Sequence, residues 1–209
     1  MIDPTNFSLF VATSWALIIV PGPDMLYVIT RGMSQGRKAG LLSALGVTLG
    51  ILVHTVFAAF GLAVLLQTSA LAFLAVKYVG ALYLIYLGFK ALKDKSNFAP
   101  PTQPQNVDFH SIFWQGVLSN VLNPKIALFF LAFLPQFVNR DRGHVTLQMF
   151  TLGIVFALFG VIFLSVVGYF SAGIGRWLAN RAGLASALRW LSGGVFIGLG
   201  VRLALVERK

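Results

Sequence analysis

The chain of 209 residues is 57% hydrophobic and only 11% charged, with a mean hydropathy of +0.83, which excludes an ordinary water-soluble domain. Its formal net charge of +10 does not indicate nucleic-acid binding, because the basic residues lie mostly at the ends of apolar segments rather than in one stripe with aromatic residues. The absence of cysteine excludes a disulfide framework and a thiolate metal site. Since a membrane-spanning helix needs about 20 apolar residues, the chain has room for about six spans and no separate soluble domain.

Six apolar segments follow one another along the chain, and each is long enough to cross a bilayer. They run over residues 7–29, 41–66, 70–92, 112–138, 145–174 and 184–206. No basic residue precedes Arg31, so the first segment predicts a retained span rather than a cleaved signal peptide. We therefore expect an all-α, multi-pass protein of a bacterial inner membrane, built as one transmembrane domain over residues 1–209.

The first segment contains Pro21, Gly22, Pro23 and Asp24 deep within its apolar sequence. Proline removes an amide donor and clashes with the preceding turn, while glycine adds backbone freedom, so this motif predicts a helix break inside the membrane. In hydrocarbon, the freed backbone groups are tolerated only where they line a cavity or pack on protein. The motif therefore favours a binding site over a kink that serves packing alone.

The fourth segment carries a similar motif in Asn120, Asn123, Pro124 and Lys125, and two facing breaks would form one central site. Lys125 either holds a substrate carboxylate, pairs with Asp24 until substrate arrives, or belongs to a purely architectural ion pair. Asn120 and Asn123 either bind the substrate or satisfy carbonyl groups that Pro124 frees, and the two roles are compatible.

A polar linker from Lys93 to His110 divides the chain near its middle, into halves of about residues 1–93 and 110–209. Each half holds three apolar segments. Because three is odd, two copies of one unit must enter the membrane in opposite senses. The expected architecture is two inverted three-helix repeats with broken first and fourth helices.

Similarity between the halves favours a duplication. Residues 77–92 align without gaps on residues 189–204 at an offset of 112, and Pro23 falls on Pro124 at an offset of 101. Two related halves that exchange conformations are typical of alternating-access transporters, so the repeat favours transport.

With these motifs the chain resembles the LysE/RhtB family of amino-acid exporters. The residues that carry the resemblance occur in order as PGPD at Pro21–Asp24, GRKAG at Gly36–Gly40, KYVGALYLIYLG at Lys77–Gly88, NPK at Asn123–Lys125 and FLPQF at Phe133–Phe137. The resemblance implies a six-helix exporter of amino acids or close derivatives that is driven by the proton gradient and needs no cofactor. It does not name the cargo.

Four further polar residues inside the segments are secondary candidates for the site. His54 either relays protons or forms a hydrogen bond within packed helices. Lys77 either reaches the lipid headgroups with its long stem or enters the site. Tyr83 and Tyr86 either present hydroxyl groups to a substrate or pack as aromatic residues.

The glycine pair Gly46 and Gly50, like the pair Gly194 and Gly198, has the spacing that lets helices approach closely. This approach occurs either within one protomer or in a homodimer. The other expected partners are an amino acid, protons and the lipid bilayer.

An enzyme is disfavoured, because the chain has no HExxH or GxSxG motif and only six acidic residues. An exporter of a cation or metal ion is the alternative to amino-acid export. Such sites require several converging carboxylates, histidines or cysteines, and only Asp24 and His54 lie at depth. No metal site is therefore expected.

Asp24 is the candidate for proton coupling, as the only acidic residue between Asp3 and Asp94. In the expected cycle, ionised Asp24 binds the substrate ammonium from the cytoplasm and exchanges it for a proton outside. The alternative is that Asp24 only caps the half-helix that begins after Pro23. A dibasic substrate carries an extra ammonium group that a site away from water must neutralise, and one buried carboxylate is insufficient for this. We therefore expect neutral amino acids as cargo.

The basic residues also predict the orientation of the chain. The first, third and fifth loops hold Arg31, Arg37, Lys38, Lys90, Lys93, Lys95, Arg176 and Arg181, whereas the other side holds Arg140, Arg142, Arg202, Arg208 and Lys209. The excess predicts a cytoplasmic position for these three loops and places both termini outside.

Overall fold

The computed structural model describes residues 4–62, 70–93, 108–139, 141–174 and 182–205, and within these ranges all regular structure is helical. Its helices are α1 (Pro4–Ile19), α2 (Pro23–Gln35), α3 (Arg37–Phe57), α4 (Ala70–Lys93), α5 (Phe109–Val121), α6 (Pro124–Leu128), α7 (Val145–Tyr169) and α8 (Ala182–Leu205). A π-helical turn, Ala58–Leu62, extends α3. A π-helical turn, Phe129–Phe133, and a 3-10 turn, Leu134–Phe137, extend α6. Most of the predicted linker and both chain ends lie outside the described residues.

Both predicted helix breaks are confirmed. The axis turns by 50° between α1 and α2 and by 46° between α5 and the extended α6. Pro23 and Pro124 occupy the first turn of α2 and α6, where a missing amide hydrogen costs nothing because that amide has no partner within the helix. The two broken segments are therefore alike in sequence and in bend.

The helices have the length and surface of membrane spans. Extended α3, most of α4, and α7 are each long and apolar enough to cross a bilayer, and counting each bent pair as one span gives five candidates. The apolar part of α8 that meets the criteria, Trp190–Leu205, is shorter, so the sixth span stays a prediction. Large apolar side chains on the outside, such as Phe57 at 71% exposed and Leu205 at 74%, suit hydrocarbon rather than water.

Glycines bring α3 close to its neighbours. A Cβ atom on Gly46 of α3 would overlap the carbonyl oxygen of Phe113 in α5, and one on Gly40 would lie 2.6 Å from the carbonyl oxygen of Gly168 in α7. Gly46 therefore serves packing within the protomer. Around Gly194 and Gly198 of α8, a Cβ would meet no described atom within 4 Å.

Helices α4 and α8 pack through a reciprocal contact. A Cβ on Gly88 would lie 2.5 Å from the Ile197 side chain, and one on Gly200 would lie 2.8 Å from the Ile85 side chain. At the offset of 112, Gly88 corresponds to Gly200 and Ile85 to Ile197, so the two contacts exchange corresponding residues. A step of three residues forward along α4 moves the contact three residues backward along α8, which is the pattern of antiparallel helices.

Aromatic side chains fill the core between α1, extended α6 and α7. The ring of Phe129 stacks on that of Phe156 with centroids 4.6 Å apart, and Phe10 meets Phe137 edge to face at 5.4 Å. Six phenylalanines of this core are at most 2% exposed: Phe10, Phe129, Phe130, Phe133, Phe137 and Phe156. The packed rings lie directly beside the helix breaks.

Candidate functional site

The two helix breaks meet at one buried polar cluster, formed by Asp24, Asn120, Asn123 and Lys125, none of which is more than 8% exposed. The side-chain amides of Asn120 and Asn123 both donate to Oδ2 of Asp24, each over 2.8 Å. These bonds join residues 96 and 99 positions apart in the chain. The prediction that the two breaks lie together is therefore confirmed.

Asp24 does not cap α2, so the capping interpretation of this residue is wrong. The residue before the helix is Gly22, in extended conformation, and the α2 N-terminus has no side-chain cap. The Asp24 carboxylate instead accepts its hydrogen bonds from side chains of the second break. The α6 N-terminus is different, because Oδ1 of Asn123 accepts from the backbone amide of Lys125 over 3.0 Å.

Lys125 crosses to the first break. Its ammonium nitrogen donates to the carbonyl oxygen of Val20 over 2.7 Å and lies 5.9 Å from the ring centroid of Phe196 in α8. Within the described part of the chain, this donation takes the place of the direct ion pair with Asp24 that was one sequence-based alternative. A Cβ on Gly22 would lie 3.4 Å from both Cδ and Nζ of Lys125, so the lysine side chain passes directly beside this glycine.

Two oxygen acceptors in the cluster are unused. Oδ1 of Asp24 and Oδ1 of Asn120 are buried and have no hydrogen-bond partner among the described residues. A buried acceptor without a donor is unfavourable by about 1–3 kcal/mol, and more for a charged group. The Asp24 side of the cluster is therefore suited to receive an N–H or O–H donor.

A cavity of about 30 Å³ lies at this cluster. Gly22, Asp24, Asn123 and Lys125 form its polar side, and apolar side chains and one glycine form the remainder: Ile18, Met25, Val47, Ile51, Ile126, Phe156, Gly160 and Leu164. A water molecule needs roughly 10–15 Å³ by this measure, so the cavity has room for about two. The cavity in this closed arrangement is too small for a molecule much larger than water.

The other predicted site residues are further from this cavity. Pro21, Pro23 and Pro124 shape the breaks without lining the cavity, and Asn120 supports Asp24 from beside it. The secondary candidates on α4 do not line it either. Lys77 is buried with its ammonium 5.1 Å from the Tyr78 ring, and the Tyr83 and Tyr86 rings lie 5.6 Å apart, with Tyr86 mostly exposed.

His54 is hydrogen-bonded within the helix packing. Its Nε2 lies 3.2 Å from the carbonyl oxygen of Asn120, and its ring stacks on Phe130 with centroids 5.8 Å apart. The residue adjoins the backbone of Asn120, whose side chain holds Asp24, but it does not line the cavity.

Two sets of polar contacts between helices were not predicted from the sequence. Arg31 of α2 donates to the side chain of Gln115 in α5, and the Tyr27 hydroxyl donates to the carbonyl oxygen of Ile112 over 2.6 Å. Arg202, counted above as a loop residue, lies in the last turn of α8 and donates to the Thr13 hydroxyl over 3.1 Å. Basic residues at the ends of apolar segments were the available signal, but their partners are distant in sequence.

Broken helices around a buried polar cavity are typical of membrane transport proteins. The model of the LysE type translocator family matches residues 15–207, so the chain belongs to that family. It is a translocator and not an enzyme.

Relatives match over nearly the whole chain. An uncharacterised membrane protein of Pseudomonas aeruginosa is 32% identical over 205 residues, covering 96% of this chain and 95% of that protein. An uncharacterised membrane protein of Bacillus subtilis is 32% identical over 198 residues, covering 90% and 93%. The leucine efflux protein of Salmonella typhimurium is 30% identical over 206 residues, covering 97% and 96%. No solved structure matches the chain.

Proposed function

We propose that this translocator exports neutral amino acids from the bacterial cytoplasm, by alternating access and in exchange for protons. One observation carries the proposal: a buried carboxylate with a free oxygen and a buried ammonium group line the same small cavity between two helix breaks. A zwitterionic amino acid offers an ammonium group and a carboxylate that complement these two charges. The relationship to a leucine efflux protein supports the same class of cargo.

Each charged group of the substrate has a partner in the site. The substrate ammonium donates to Oδ1 of Asp24, the unused acceptor of a residue that lines the cavity. The substrate carboxylate accepts from Lys125, which exchanges the Val20 carbonyl for a charged acceptor, and lies near the uncapped N-terminus of α2.

Charge balance favours neutral cargo over dibasic cargo. Asp24 and Lys125 together carry no net charge when both are ionised, and a zwitterion leaves that balance unchanged. Lysine or arginine as substrate would place a second positive charge against the apolar side of the cavity, where an unpaired charge is costly. The two free acceptors are also fewer than a divalent cation requires, so cation export has less support.

Asp24 is the proposed coupling residue. It is buried, it shares the cavity with Lys125, and its free oxygen accepts either a substrate N–H or a proton. Binding one ligand excludes the other, because both occupy the same oxygen. Export of the substrate is therefore followed by protonation from outside, and the protonated carrier returns without substrate.

An inverted repeat supplies the two alternating states. The proposal is supported by the matched breaks at Pro23 and Pro124 and by the reciprocal, antiparallel contact between α4 and α8. Antiparallel helices that exchange equivalent residues are related by an axis perpendicular to them, which for spanning helices lies in the membrane plane.

The contact between Arg31 and Gln115 joins the two proposed repeats on the side where the basic residues predict the cytoplasm. In this arrangement it closes the cavity toward the cytoplasm, and the packed phenylalanines close the opposite side. Opening toward the cytoplasm therefore requires α2 and α5 to part. Both termini are outside in this orientation.

Efflux from proteoliposomes tests the proposal. Vesicles loaded with labelled leucine, threonine or lysine are diluted into buffer, with and without an imposed pH gradient, and compared with vesicles that contain the Asp24→Asn variant. We expect gradient-stimulated loss of leucine or threonine and little loss of lysine. Equal efflux with and without protein, or export of lysine alone, contradicts the proposal.

A further inference from the structure

Gly160 of α7 differs from the other buried glycines of the same helix. A Cβ on Gly153 would lie 2.5 Å from the Thr55 hydroxyl oxygen, and one on Gly168 would lie 2.8 Å from the backbone of Gly40, so both are needed for close packing on α3. A Cβ on Gly160 would meet a single described atom within 4 Å, which is Cδ1 of Ile51 at 3.0 Å. Gly160 is therefore less constrained by packing than Gly153 or Gly168, since only the end of one side chain would have to shift.

Gly160 forms a notch in the apolar wall of the central cavity. It lies between Phe156 and Leu164, four residues from each, so the three share one face of α7 and all line the cavity. Ile51 faces it from α3. Glycine is a poor helix former compared with alanine, and here its missing side chain leaves a recess in the cavity wall.

We propose that Gly160, with Ile51 opposite, limits the size of the substrate side chain that the site accepts and admits a branched aliphatic one. The inference rests on the proposed function and assigns the apolar end of the same site. With the ammonium and carboxylate of the substrate held by Asp24 and Lys125, the side chain points toward the wall, and the space that Gly160 leaves is where its branch fits.

The Gly160→Ala variant tests the proposal through a ratio of efflux rates. Adding one methyl group to the notch should lower the rate for leucine relative to that for alanine by about tenfold, since one methylene in an apolar pocket discriminates by this order. Gly198→Ala is the matched control, because it makes the same change in a helix where the added Cβ meets no described atom. It should leave the ratio unchanged.

A second substitution separates size selection from damage to the fold. Ile51→Val removes the one atom that the new Cβ would meet, so the double variant Gly160→Ala/Ile51→Val should recover the leucine to alanine ratio. Ile51→Val alone should raise the rate for methionine or phenylalanine relative to leucine. This single variant tests the notch even where Gly160→Ala does not fold.

The outcomes distinguish this inference from the proposed function. The inference alone is overturned by the following result. The wild-type protein exports both leucine and alanine, Gly160→Ala leaves the leucine to alanine ratio unchanged, and Ile51→Val leaves the rates for methionine and phenylalanine relative to leucine unchanged. Equal slowing of both substrates assigns Gly160 to packing and also overturns it. A wild-type protein that exports no amino acid overturns the proposed function, and the inference with it.

Discussion

The ammonium nitrogen of Lys125 lies 2.7 Å from the carbonyl oxygen of Val20. In a continuous helix that oxygen would accept from the amide of Asp24, four residues further along the chain. The first break exposes the carbonyl, and the second break provides the lysine that satisfies it. Each helix break thus stabilises the other.

Lys125→Met should abolish efflux and destabilise the protein. Methionine has similar length but no donor, so it leaves the buried Val20 carbonyl unpaired, which costs about 1–3 kcal/mol, and it removes the partner of the substrate carboxylate. Thermal unfolding in detergent and efflux from proteoliposomes measure the two effects. Lys125→Arg, which keeps a charged donor, should retain part of the activity. Wild-type efflux from Lys125→Met would show that the ammonium only supports the break.

Asp24→Asn should leave the protein folded but remove its response to a pH gradient. Asparagine has the same shape and keeps an oxygen for the amides of Asn120 and Asn123, but it cannot release a proton. The measurement is efflux as a function of external pH. Asp141→Asn, at an exposed loop acid, is the control and should keep the wild-type profile. A gradient response in Asp24→Asn equal to that of the wild type would exclude this residue from coupling.

Asn123 should show two separable roles. Its Oδ1 caps α6 and its Nδ2 donates to Asp24. Asn123→Ala removes both and should lower stability by about 1 kcal/mol through the cap alone, whereas Asn123→Ser keeps a cap and loses only the Asp24 bond. We expect a higher midpoint of thermal unfolding for the serine variant and impaired efflux in both. Identical unfolding midpoints would argue against the cap.

Gly46→Ala should be strongly destabilising and Gly194→Ala nearly neutral. The first adds a methyl group against the backbone carbonyl of Phe113, which cannot move without separating α3 from α5, and the second adds it in open space on α8. The fraction of each variant that remains monodisperse in detergent after heating compares them. Similar stability of the two variants would mean that α3 and α5 do not pack this closely.

The natural absence of cysteine makes the orientation directly measurable. Single substitutions at exposed positions, Lys93→Cys and Asp141→Cys, place a thiol at the two predicted sides of the membrane. A membrane-impermeant maleimide added to intact cells should label Asp141→Cys and spare Lys93→Cys. The reverse pattern would place the termini in the cytoplasm.

The helix breaks were predictable because their cause is local. Proline and glycine act on their own turn of helix, so the motif beginning at Pro21 indicates a break whatever surrounds it. The meeting of the two breaks was predictable because backbone groups freed inside a membrane are tolerated only where they line a cavity or pack on protein. The partner of Lys125 was not, since the Val20 carbonyl becomes available only through the bend itself.

The faces of the helices could not be read from sequence. Residues on all sides of α4 and α7 are apolar, because one side meets lipid and the other meets protein, so the inward face has no periodic signal. Tyr83 and Tyr86 were candidates for this reason, and Gly160 was overlooked. A glycine that is needed for helix packing and a glycine that lines a cavity cannot be distinguished in the sequence, because only the surrounding atoms differ.

The small size of the central cavity has a consequence for the energy supply of the cell. Room for about two water molecules, bounded on one side by fully buried phenylalanine rings, does not support a continuous file of water through the protein. Without such a file through the described residues, we expect hydronium and other small ions not to leak through the closed arrangement. A carrier of this kind could be abundant in a membrane without dissipating the voltage across it.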